Sequence, residues 1–294
     1  MTPRLPPTED VDPSGGALDL LATSDLVARL VADQHRAVDE VLGQRDVIGA
    51  VVEEIAARLR AGGRLHYVGA GTSGRIGALD AAEMPPTFGT PAHLVQATIA
   101  GGPAAMTQAV EGAEDDAEAA NAAMRANVRP GDAVIGISAS GGAAFVVAAI
   151  ETARALGAYV VALTSVAGSS LACAADAAIV LATGPEVVAG STRLKAATAQ
   201  KIALNAISTA VMVRLGHVYD NLMVDVVATN RKLRERALRL ACGVAGVDET
   251  RGQQLLDAAG GRVKVAIVME RRGVGAEDAA ALLEGCGGSL RALL

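Results

Sequence analysis

Gly69-Ala70-Gly71-Thr72-Ser73-Gly74-Arg75 follows the strand-like run Arg64-Leu65-His66-Tyr67-Val68. A glycine-rich turn that leaves a strand and opens a helix points backbone N–H groups at one place, where the helix dipole also favours an anion. The stretch matches G-x-G-x-x-G, so a dinucleotide site is the first reading to test. That reading needs a carboxylate at the end of the next strand, about 20 residues on, to hold a ribose hydroxyl. The next strand-like run, His93-Leu94-Val95-Gln96-Ala97-Thr98-Ile99, leads into Ala100-Gly101-Gly102 with no acid. Thr72 and Ser73 add adjacent hydroxyls that suit the terminal oxygens of a phosphate monoester. Gly71, Thr72 and Ser73 therefore read as a sugar-phosphate cradle; the competing reading is a structural turn without a ligand.

Outward from this turn the chain alternates strand and helix. Strand-like runs are expected at residues 65–68, 94–99, 133–137, 159–164 and 178–181, with helical runs at 73–82, 104–126 and 143–156. Continuous apolar strands between helices predict an α/β fold, a mainly parallel sheet covered by helices on both faces in three layers. Helical spacing is also expected upstream at 24–42 and 45–61, and a long helix at 191–215. Beyond Asn230 the strand signal disappears, and short helical segments form a small C-terminal subdomain. The expected division is a flexible arm at 1–20, a main domain with its N-terminal helices at 21–236, and a helical subdomain at 237–294.

A second cradle candidate ends the third strand, in Gly136-Ile137-Ser138-Ala139-Ser140-Gly141-Gly142. Ligands of open α/β sheets bind beyond the carboxyl ends of strands, so Ser138, Ser140 and Gly141 are expected to share one crevice with the first cradle. Ser138 or Ser140 capping the next helix uses the same N–H geometry, and both roles can hold.

Composition narrows the function. The chain has 294 residues, 51% hydrophobic and 20% charged, with no Trp and 2% aromatic residues, so platforms for stacking bases are nearly absent. A net charge of −6 without a basic run makes nucleic acid an unexpected partner. Cys173, Cys242 and Cys286 are scattered, without metal-ligand spacing, which suggests reduced thiols in a cytoplasm. The Pro- and acid-rich N-terminus lacks the pattern of a secretory signal, and no apolar stretch is long enough to cross a membrane.

Two carboxylates stand out. Glu83 precedes Met84-Pro85-Pro86, and the prolines are expected to end the helix and leave it at a rigid corner. Glu114 lies among several acids on an expected helix. Each also reads as a surface acid; flanking a bound sugar, the pair can act as general acid and base.

These segments together carry a resemblance. Gly69–Arg75 with Leu79-Asp80-Ala81-Ala82-Glu83, Val110-Glu111-Gly112-Ala113-Glu114-Asp115, Glu186-Val187-Val188-Ala189-Gly190-Ser191-Thr192-Arg193-Leu194-Lys195 and Asn221-Leu222-Met223-Val224-Asp225-Val226-Val227-Ala228-Thr229-Asn230 resemble the N-acetylmuramic acid 6-phosphate etherases, in the sugar isomerase (SIS) superfamily. The resemblance spans nearly the whole chain from about Thr23. It implies a SIS fold and a cofactor-independent, metal-free lyase that replaces D-lactate at C3 of the sugar with water. It implies a homodimer and a sugar-phosphate substrate, with Glu83 and Glu114 as the acid–base residues. Glu83 is favoured as the acid assisting lactate departure and Glu114 as the second proton-transfer group. One departure stands out: the family usually reads Arg-Thr-Pro where this chain has Gly142-Ala143-Ala144, removing a guanidinium and a hydroxyl near the expected phosphate. Ala197 also replaces a usual glycine. Two rival functions share the fold, a non-catalytic sugar-phosphate-binding regulator and an aldose–ketose isomerase.

Overall fold

In the computed structural model, which describes residues 6–13, 15–226 and 231–294, the chain separates into two units. The first comprises residues 1–82 and 93–208, the second 83–92 and 209–294. In order, the elements are α1 (Thr23–Ala32), α2 (His35–Gly43), α3 (Arg45–Arg60), β1 (Leu65–Gly69), α4 (Gly71–Phe88), β2 (Val95–Ile99), α5 (Ala117–Asn127), β3 (Ala133–Ile137), α6 (Ala144–Ala155), β4 (Tyr159–Thr164), α7 (Ser170–Ala174), β5 (Ala177–Val180) and α8 (Lys195–Arg214). A short hairpin, β6 (Val218–Tyr219) and β7 (Leu222–Met223), precedes α9 (Arg231–Ala245), α10 (Glu249–Ala258), α11 (Val263–Arg272) and α12 (Ala276–Gly285).

The first unit is an α/β fold on a parallel sheet ordered β2-β1-β3-β4-β5. Successive side chains of a strand point to opposite faces. Val68, Val134, Val160 and Ala162 accordingly join one core cluster with Met124 of α5 and Phe145, Val146, Ala149 and Ile150 of α6. Tyr67 and Ile137 face the other way, onto α4 at Gly77. The sheet thus has helices on both faces, as the alternating pattern predicts.

Four local expectations are corrected. The helix expected over 24–42 breaks at Asp33-Gln34, where both side chains turn onto α8: Lys195 Nζ meets Asp33 Oδ1 at 2.8 Å and Thr198 Oγ1 donates to Gln34 Oε1 at 2.7 Å. The prolines do not end α4. Proline's fixed φ suits a helix, the loss is confined to two N–H donors, and Gly89 N still bonds Pro85 O at 3.0 Å. Glu83 therefore stands on a continuous helix. The helix expected over 104–126 becomes 3-10 turns at Gly102–Met106 and Ala113–Asp115 before α5, because Gly101, Gly102 and Gly112 all take positive φ. Asp116 then caps α5, accepting from Ala119 N at 2.9 Å. Finally, α8 starts at Lys195 rather than Ser191, because buried Glu186 receives Lys195 N at 3.1 Å and Ala196 N at 2.9 Å.

Residues 209–226 and 231–236, expected with the main domain, fall in the helical unit. Tyr219, Leu222 and Val224 of the hairpin region pack with Leu255, Leu256, Ile267 and Leu283 in that unit's own core. The described part of the expected arm is packed rather than detached: Thr8 is 1% exposed, and Asp12 pairs with Arg29 of α1 at 3.3 Å. Val227, Ala228, Thr229 and Asn230, the end of one resemblance segment, lie outside the described residues. No described helix is long and apolar enough to cross a membrane.

Candidate active site

β1 and β3 are neighbours, and their connections leave in opposite directions, through α4 to β2 and through α6 to β4. This is a topological switch point, where such sheets hold ligands. A cleft of about 990 Å³ opens there, entirely within the first unit. Gly71, Thr72, Ser73, Ser138, Ser140 and Gly141, the expected binding residues, all line it, together with Glu114.

The first cradle depends on close backbone approach. A Cβ at Gly74 would come within 2.6 Å of Ile99 Cγ1 and 2.7 Å of Gly69 O, so only glycine lets α4 start this near β1. Ser73 Oγ donates to Gln200 Oε1 of α8 at 2.9 Å, which fixes its rotamer. In the second cradle Ser138 Oγ accepts from Gly141 N at 3.1 Å and Ser140 Oγ from Gly142 N at 3.2 Å. These bonds fold the loop and leave both hydroxyl protons available to an anion. Gly141 has φ +66°, and a Cβ there would collide with Ser169 Oγ and lie 2.8 Å from Thr164 Oγ1.

Arg75, adjacent to the cradle, is turned elsewhere. It donates to Ala105 O at 2.9 Å and Gln108 O at 3.0 Å, bracing the loop after β2. Among the described residues no Lys, Arg or His side chain lines the cleft. An anion would be held there by neutral hydroxyls, backbone N–H groups and the N-terminal ends of α4 and α6. Gly142 and Ala143 do line it.

Glu114 is exposed on its 3-10 turn, beside Asp115 in the cleft wall. Glu83 is exposed on α4, belongs to the second unit and is not among the residues lining the cleft. Ser169, Ser170 and Thr192 add hydroxyls that the sequence reading missed, and Pro6, Pro7 and Glu9 reach the cleft from the N-terminal segment. The strand-to-helix rule that finds the two cradles carries no signal for such distant contributions. Among the described residues no group of three His, Cys, Asp or Glu side chains is gathered as a metal site.

The switch-point cleft and its double hydroxyl cradle define a SIS-type sugar-phosphate protein. The SIS domain family matches residues 104–210, and the glucokinase regulatory protein N-terminal SIS domain family matches residues 47–154. Among solved structures, a putative phosphosugar isomerase from Bacteroides fragilis covers 66% of this chain and 91% of its own at TM-score 0.52 and 21% identity. A phosphoheptose isomerase from Francisella tularensis covers 66% of this chain and 100% of its own at TM-score 0.52 and 18% identity, a likeness of fold. The N-acetylmuramic acid 6-phosphate etherase of Deinococcus radiodurans is 49% identical over 98% of this chain and 94% of its own length. That of Symbiobacterium thermophilum is 52% identical over 87% of this chain and 86% of its own. The chain belongs to the N-acetylmuramic acid 6-phosphate etherase family.

Proposed function

We propose that this chain cleaves the D-lactyl ether of N-acetylmuramic acid 6-phosphate with water, giving N-acetylglucosamine 6-phosphate and D-lactate. The observation that carries the reading is a carboxylate, Glu114, in the wall of a hydroxyl-lined phosphate cleft in a member of this family. A phosphate needs donors, and a carboxylate adds nothing to holding it; a proton-transfer step does call for one.

In the open-chain sugar the C2 proton is acidified by the C1 aldehyde. A base removes it, the electron pair forms the C2=C3 double bond, and the C3–O bond breaks as an acid protonates the departing lactate. Water then adds at C3 and a proton returns to C2. Glu114 is assigned as one proton-transfer group of the cleft. Glu83, which does not line its own chain's cleft, is assigned on the family resemblance as the acid that assists lactate departure, in a site completed by the second copy of the homodimer. Thr72, Ser138 and Ser140 hold the phosphate through their hydroxyls and Ser73 through its backbone N–H, while Gly141 shapes the second turn, and together they fix the sugar's position. The chemistry asks for no redox cofactor.

The working form is proposed to be a homodimer. Val27 and Val31, one turn apart on α1, are 52% and 61% exposed, and Val38 and Leu42 on α2 are 53% and 62% exposed. Such an apolar stripe is covered in an assembly, and a second copy is the occupant proposed. The free thiols of Cys173, Cys242 and Cys286 suit a reducing cytoplasm.

Incubation with N-acetylmuramic acid 6-phosphate, followed by assays for lactate and amino-sugar phosphate, tests the reading. Stoichiometric appearance of both products is expected. Binding without lactate would favour a regulator, and a ketose product with the ether intact would favour an isomerase.

A further inference from the structure

We infer that Glu9, carried in by the N-terminal segment, is a substrate-binding residue of the cleft and accepts a hydrogen bond from a hydroxyl or the acetamido N–H of the sugar. The inference rests on the etherase reading for its substrate. Pro6, Pro7 and Glu9 line the cleft, while Thr8 between them is buried, so the segment is anchored by one residue and presents its neighbours. Glu9 N bonds Pro6 O at 2.8 Å, closing a turn that sets where the side chain starts. Its carboxylate rests against the loop before α8. A Cβ at Gly190, whose φ is +73°, would lie 3.0 Å from Glu9 Oε2, and Thr192 two residues on lines the same cleft. Three residues beyond Glu9, the Asp12–Arg29 pair ties the segment to α1.

Charge decides what this carboxylate meets. Among the described residues no cationic side chain lines the cleft, and no hydrogen bond or ion pair engages the Glu9 carboxylate. Beside a phosphate dianion it would be repelled. An acceptor-only group is instead satisfied by O–H and N–H donors, which the sugar ring and its acetamido group supply. Glu9 therefore reads the sugar, and the Thr72 and Ser138 cradles read the phosphate.

The test compares wild type with Glu9→Ala and Glu9→Gln in lactate release, and in calorimetric titration with N-acetylglucosamine 6-phosphate and with inorganic phosphate. Loss of a charge-assisted hydrogen bond predicts about a tenfold or larger rise in KM for Glu9→Ala, with kcat within about threefold. The amino-sugar phosphate should bind correspondingly more weakly and inorganic phosphate as before. Glu9→Gln, which keeps an acceptor oxygen, should recover part of the loss. An unchanged KM, a fall confined to kcat, or equal weakening of inorganic phosphate would overturn the inference. A wild-type protein that binds the sugar phosphate but releases no lactate would count against the etherase reading alone, and the calorimetry would still decide the role of Glu9.

Discussion

At the scale of single residues, Glu114 carries the sharpest expectation. Removing a positioned acid or base slows a proton-transfer step by roughly 10²–10⁴-fold. Glu114→Gln should lower kcat for lactate release by that order and leave the affinity for inorganic phosphate unchanged. Near-normal turnover would remove it from the assignment. His66 gives a second test. It is buried in β1, its Nε2 2.7 Å from Thr98 Oγ1, and burial, aided by the Arg64 charge and opposed by Asp132, lowers its pKa to about 4. Protonation therefore favours the unfolded chain, whose imidazole titrates near 6.5. The stabilisation from keeping His66 neutral is complete above that value and is lost as the pH falls from 6.5 toward 4, amounting to about 3 kcal/mol. Chemical denaturation of a His66→Phe variant should show a shallower loss of stability over this window than wild type, and parallel profiles would contradict the assignment. The cradle residues were legible because a glycine turn between strand and helix has local requirements. Glu9 was not, because nothing near it in sequence points to a cleft built from residues 70–192.

At the scale of elements, buried polar groups tie the helices to the sheet. Asp80 of α4 accepts from Tyr67 Oη of β1 at 2.8 Å, and from Asn205 Nδ2 at 2.6 Å and Ser208 Oγ at 3.1 Å of α8. Burial together with the Asp80 charge raises the Tyr67 pKa well above its usual value, so the phenol stays a donor to Asp80. Replacing Asp80 by Ala strands the buried Tyr67 and Ser208 hydroxyls in the core, at about 1–3 kcal/mol for each group left unsatisfied. Asp80→Ala should lower the unfolding free energy by several kcal/mol in a denaturant titration, and a loss below about 1 kcal/mol would show that the network contributes little. The parallel strands were readable as continuous apolar runs, and all five appear within a residue or two of expectation. The helix breaks were less readable. The split at Asp33-Gln34 and the start of α8 at Lys195 are set by partners about 160 and nine residues away, respectively. Periodicity reports only which face is apolar. The 218–223 hairpin has strands too short to leave a periodic signal.

At the scale of the whole molecule, the alternating strand and helix pattern was enough to give the three-layer architecture. The grouping of 209–226 with the helical unit was not, since it follows from packing of a short hairpin onto distant helices. The exposed apolar residues of α1 and α2 predict self-association: sedimentation at assay concentration should give a dimer, and Val31→Asp with Leu42→Asp should shift it toward monomer and lower activity. A fully active wild-type monomer would contradict this part of the account. The central claim, ether cleavage by elimination and hydration, is tested most directly by running the reaction in deuterium oxide and locating the label in the amino-sugar product. Lactate release with deuterium at C2 is expected, introduced when a solvent deuteron is delivered to C2 after water adds at C3. Lactate release with C2 unlabelled would mean direct displacement at C3 and would contradict it.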